Sequence, residues 1–110
     1  MKKLLVMAAL VPSLCHAEFF SGNDLLQRIN SESYSERGSA LGYVMGVSDA
    51  IFGVVHCAPH DVTSGQLRDL MKHYLTNNPA DRHNTANVLV AHVLKSIWPC
   101  AHNQRRGSAL

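Results

Sequence analysis

Long apolar runs, alternating strands and a surplus of charge are all missing from this 110-residue sequence, and each absence narrows what the chain can be. The apolar run at the N-terminus, Leu4 to Leu14, is well short of the about 20 residues that a bilayer-spanning helix needs. No stretch alternates with the two-residue period of a half-buried strand, and there is no internal repeat or low-complexity block, which leaves an all-α fold. Ten Lys and Arg stand against eight Asp and Glu, but Lys2 and Lys3 belong to the N-terminal leader, so the remaining chain balances eight against eight. That balance argues against a nucleic-acid or anionic-membrane surface. No serine sits in a G-x-S-x-G setting, and the acids are scattered over separate segments rather than paired. The pattern therefore points away from an enzyme, and no catalytic residue, metal ligand set or cofactor is assigned.

What is present begins with the leader. Met1-Lys2-Lys3 is a positive head, Leu4 to Leu14 an apolar stretch, and Cys15-His16-Ala17 a small-x-small cleavage site, so residues 1–17 read as a secretory signal peptide cut after Ala17. Leu14 before Cys15 makes a poor lipoprotein box, and the expected product is soluble, without a membrane anchor after cleavage. It is one small domain, residues 18–100, followed by a patternless, frayed tail, residues 101–110. Of its cysteines only Cys57 and Cys100 remain, in an oxidising compartment where a disulfide is the default. Closing a loop of about 44 residues stabilises the fold by on the order of 4 kcal/mol in the chain-entropy model. The rival reading, a metal site of His56, Cys57 and His60, has too few ligands at an unfamiliar spacing.

The helices follow from spacing. Phe19-Phe20 should tie the new terminus to the core, and Ser21 to Asp24 supply cap residues for a short amphipathic helix through Leu25, Leu26 and Ile29, ending near Asn30. Ser31 to Gly38 is polar and reads as a surface loop. Thr63 and Gln66 have capping-box spacing ahead of Leu67, Leu70, Met71, Tyr74 and Leu75. Asn77-Asn78-Pro79 closes that helix, with Pro79 placed to start the next element. Ala86, Leu89, Val90, Val93, Leu94, Ile97 and Trp98 keep helical spacing until Pro99. The expected architecture is a compact bundle of about four helices with one intramolecular disulfide.

The chain is organised around Leu41 to Cys57, LGYVMGVSDAIFGVVHC, apolar on nearly every side and expected to be a buried central helix stopped by Pro59. Gly42, Gly46, Asp49 and Gly53 would line one seam of it. A carboxylate among glycines on a buried helix is costly unless hydrogen-bonded or paired, so Asp49 is expected to be an internal anchor, with the glycines admitting a neighbouring backbone and Trp98 a further structural anchor; the functional alternative is that Asp49 contributes to a dimer or partner surface. Asp49 with His56, and Asp69 with His73, are spaced to meet on one helix face, but exposed ion-pair geometry accounts for the latter. The six histidines of the processed chain, His56, His60, His73, His83, His92 and His102, read as scattered surface residues, with a pH-sensing set or a loose metal surface as the alternatives.

Taken in order, Phe20-Ser21-Gly22-Asn23-Asp24-Leu25-Leu26, Gly42-Tyr43-Val44-x-Gly46-x-x-Asp49, Cys57 with Pro59, Val62-Thr63-x-Gly65-Gln66-Leu67, Tyr74-Leu75 with Pro79, and Trp98-Pro99-Cys100 resemble the Rap/Tai-type immunity proteins of bacterial type VI secretion systems. The resemblance covers nearly the whole processed chain. It implies a periplasmic helical protein, commonly a homodimer, that protects its producer by binding and blocking a cognate effector toxin, often a peptidoglycan amidase. The shared motif residues are then fold determinants, and toxin contacts lie on other surface positions. With no Cys between Ser31 and Ala40, a second disulfide in that segment is excluded. Partner-contact candidates are His60 and Asp61 in the 58–64 loop, Arg68, Lys72 and His73 on the third helix, and Asn77 and Asn78 after it, because ordered loops on a rigid scaffold carry binding. The alternative of another class is a small acid-stress chaperone of the same compartment, its histidines driving partial unfolding as pH falls.

Overall fold

The computed structural model describes residues 19–101; the expected signal peptide, and the expected tail after Ala101 with His102, lie outside them. Four α-helices follow in order: α1 Gly22–Ile29, α2 Tyr34–Ile51, α3 Ser64–Asn77 and α4 Ala86–Ile97, with a 3-10 turn, Pro79–Asp81, between the last two. Every pair of these helices is in contact. The fold is the expected all-α bundle of four helices.

α1 starts where its capping chemistry sets it. The Asp24 amide donates to Ser21 Oγ and the Ser21 amide to Asp24 Oδ2, each at 3.1 Å, and Leu25 and Ile29 are buried. The segment before it is strapped to the α3–α4 connection. The Gly22 and Asn23 amides donate to Asn84 and Arg82 carbonyls at 2.9 Å, and the Ala86 amide donates to the Phe20 carbonyl at 2.7 Å. A Cβ on Gly22 would stand 2.5 Å from Leu89 Cδ1 and 2.9 Å from the Arg82 carbonyl oxygen, so only glycine allows this approach. Of the two terminal aromatics, Phe20 packs on Tyr43 at 4.9 Å, whereas Phe19 is exposed.

α2 departs from expectation at both ends. It begins at Tyr34, capped by Ser33 Oγ accepting from the Glu36 amide at 3.4 Å, so most of the expected 31–38 loop is helical. Ser and Glu there are helix-start residues that complement free amides and the positive end of the helix dipole, and the first turns run exposed past the core. The helix stops at Ile51, well before Pro59, because Gly53 takes φ +80°, a left-handed conformation that ends helices and suits glycine. Residues 52–57 form a tight turn in which the Val55 amide donates to the Ile51 carbonyl at 2.9 Å and the Gly53 amide to the His56 carbonyl at 2.8 Å.

α3 is opened by the expected capping box, with the Gln66 amide donating to Thr63 Oγ1 at 3.1 Å and the Thr63 amide to Gln66 Oε1 at 2.8 Å. It buries Leu67, Met71 and Leu75 against Ala86, Leu89, Val90, Val93 and Leu94 of α4, with Leu25, Ile29, Ala40 and Val44 completing the core. Cys57 and Cys100 are bonded, with Cα atoms 4.9 Å apart. The Cys57 amide also donates to the Trp98 carbonyl at 2.8 Å, so the turn after α2 and the end of α4 are clasped twice. Among the described residues no helix is long and apolar enough to cross a membrane.

Candidate functional site: a cleft at the end of α2

The Gly53 turn folds the chain back so that His56 points inward, only 1% exposed. Its Nε2 lies 2.9 Å from the Ser48 carbonyl oxygen and its Nδ1 accepts from the Ala58 amide at 3.2 Å. The first contact needs a ring N–H donor and the second a bare nitrogen, which assigns the neutral Nε2–H tautomer. Both ring nitrogens are satisfied, so the burial of this polar ring is compensated. His56 thereby pins the stretch between α2 and α3 to the last turns of α2.

Around that pin lies an open cleft of about 400 Å³, walled by Met45, Asp49, Phe52, Pro59 and His60 with Leu67 at its base. Phe52 is 45% exposed. Its ring and that of His56 form a T-shaped pair with centroids 5.7 Å apart, and a tilted His60 ring lies at the same distance. Asp49 stands at the rim, exposed, with no hydrogen bond or ion pair to another described residue.

This placement corrects the expectation of a buried carboxylate anchor. The side of α2 facing the core is Ala40, Val44 and Ser48. Positions 42, 46 and 49 fall roughly on the opposite side of a 3.6-residue helix. Gly42, Gly46 and Asp49 are all exposed, and a Cβ on either glycine would meet nothing within 4 Å. Gly53 lies beyond the helix end and serves as its terminator. The internal polar anchor is instead His56 with Ser48. His56 also departs from the reading of scattered surface histidines; its position in an apolar run, just before Cys57, was the available signal. Trp98 is half-buried and packs against the core, sharing a shallow concavity with Val62 and Leu70 of the neighbouring segment.

The partner-contact candidates separate into groups. His60 walls the cleft and Asp61 is exposed beside it. Lys72, His73 and Asn77 share a second shallow concavity on the outer face of α3. Arg68 is taken up by Asp69 at 3.1 Å. Asn78 is turned to local use, its Nδ2 donating to the Tyr74 carbonyl at 2.8 Å as the helix ends. Met45, Ser48 and Phe52, which sequence reasoning did not single out, complete the cleft.

Two phenols carry shifted titration. Burial pushes Tyr43 above the usual phenol value, opposed in part by the Asn87 backbone amide. Tyr74 is raised by burial and then by Asp81, whose Oδ2 accepts its hydroxyl at 2.9 Å and whose charge disfavours a second anion. Neither lies on the cleft. Among the described residues no group of three or more His, Cys, Asp or Glu is placed to hold a metal ion. The cleft offers recognition chemistry, namely one carboxylate, an aromatic wall and an apolar base.

Compared with known families, residues 21–100 match the model described as Rap1a immunity proteins. Curated proteins give no match.

Proposed function

Because the chain belongs to the Rap1a immunity protein family, we propose that it is a periplasmic immunity protein that binds and inhibits an antibacterial effector of a type VI secretion system, with a peptidoglycan amidase as the effector. The observation that carries this reading is the family match from residue 21 to residue 100, which takes in nearly every described residue, from the α1 cap to the disulfide. The protein acts by occupying a surface of the toxin rather than by catalysis. Contact falls on the 58–64 loop and the cleft beside it, which the His56 pin and the disulfide hold in one shape before binding. A surface fixed in advance loses less conformational freedom on association. Export after cleavage at Ala17 and a homodimeric state complete the proposal; the resemblance to the family supports both.

Co-expression supplies the test. The protein should rescue cells that export the product of the neighbouring gene, and an affinity-tagged copy should recover a peptidoglycan hydrolase from periplasm. Absence of both rescue and recovery sinks the reading. Sedimentation equilibrium of the processed chain tests the dimer separately. The acid-stress chaperone alternative gains no support of its own from the fold.

A further inference from the structure

The cleft at the end of α2 has a definite electrostatic character. Several other acids already have internal partners: Asp24 caps α1, Asp69 pairs with Arg68, and Asp81 accepts from Tyr74. Among the described residues Asp49 has no partner, and no Lys or Arg lines the cleft with it. Lining the same cleft is an aromatic wall. Phe52 is half exposed, and its ring packs on that of His56, which is held by both ring nitrogens, and on that of His60, each at 5.7 Å.

A carboxylate beside an exposed aromatic face suits a planar cation that stacks on the ring while donating N–H bonds sideways. At about 400 Å³ the cleft is near the lower end of ligand-site volumes and accommodates a side chain rather than a folded element. Its apolar lining, which includes Met45 and Leu67, is matched to the methylene stem of a long basic residue. We propose that this cleft receives one arginine side chain of the partner protein, with Asp49 accepting guanidinium N–H bonds and Phe52 with His60 forming the stacking wall. A neutral group would leave the Asp49 charge unused, and an acidic one would be repelled by it. The assignment rests on the partner-binding reading for the identity of the donor, but the site itself is testable without that partner.

The probe is Nα-acetyl-arginine amide titrated into the isotope-labelled processed chain and followed by amide chemical shifts, with the norleucine and glutamate analogues as controls. The expected result is a saturable set of shifts confined to Met45, Asp49, Phe52 and His60, with weak binding. Asp49→Asn should weaken it about three- to tenfold, the scale of losing one charge-assisted contact at a partly exposed site. Phe52→Leu should weaken it by a similar factor. Asp49 makes no bond to another described residue, so D49N should keep the wild-type melting temperature, and its binding loss then reports on the site alone. Shifts that are absent or spread over the chain, norleucine binding as well as arginine, or D49N binding as tightly as wild type would each overturn the proposal. A failed arginine titration with rescue intact removes the arginine site and leaves the immunity reading standing. A successful titration without rescue does the reverse.

Discussion

The start of α1 and the outer face of α2 are both built on glycine, yet the two regions are opposites. Gly22 is buried, its missing side chain the space into which Leu89 and the Arg82 carbonyl fit. Gly42 and Gly46 face open space, where a Cβ would touch nothing within 4 Å. Glycine at helical spacing is therefore no sign of close packing; what matters is whether another segment arrives, and here it arrives at the residue that stands outside the spaced set. α2 consequently has a committed side, Ala40, Val44 and Ser48, and a side free of internal duties that ends in the cleft.

The contrast can be broken most severely from the committed side. Val44→Asp places a charge at a fully buried position and should destabilise the fold by about 3 kcal/mol or more, read from the urea midpoint. A midpoint near wild type would mean that this side of α2 does not face the core. Gly22→Ala should cost about 1–3 kcal/mol, since its methyl meets backbone as well as the Leu89 side chain. The same substitution at Gly42 or Gly46 should have the opposite sign, raising stability by about 0.4–1 kcal/mol each through lower chain entropy in the unfolded state. A loss there in a dilute, monomeric sample would show a neighbour within the chain. The smallest effect is expected at alkaline pH. Tyr43 and Tyr74 hold their protons more tightly folded than unfolded. Their contribution is therefore complete below the unfolded phenol value of about 10 and declines as pH rises through the higher folded values. Tyr43→Phe should flatten that decline in urea titrations; an unchanged slope would deny Tyr43 its part.

Legibility in the sequence followed the strength of local signals. α1 and α3 carry reciprocal caps at their starts and apolar residues on one side only, so Ser21 with Asp24 and Thr63 with Gln66 mark their beginnings and Leu67, Met71 and Leu75 their buried line. α2 has small or apolar residues on both sides. Its pattern does not say which side is inward, and the Leu41–Cys57 window slid past the true end. The polar Ser31–Gly38 stretch looked like a loop because exposed helix and exposed loop share a composition.

By itself, then, the sequence determined the all-α class, the caps of α1 and α3, the buried line of α3 and that of α4 as far as Leu94, the expected Ile97 being exposed, the pairing of Cys57 with Cys100 and the family signature. These rest on contacts close in the chain or, for the disulfide, on there being just two cysteines among the described residues. Tertiary structure decided which side of α2 is covered, that Gly53 rather than Pro59 ends it, that His56 and not Asp49 is the buried polar pin, and that Asp49, Phe52 and His60 share one cleft. Those outcomes depend on which segments arrive from far along the chain, and spacing within one helix carries no record of what packs against it.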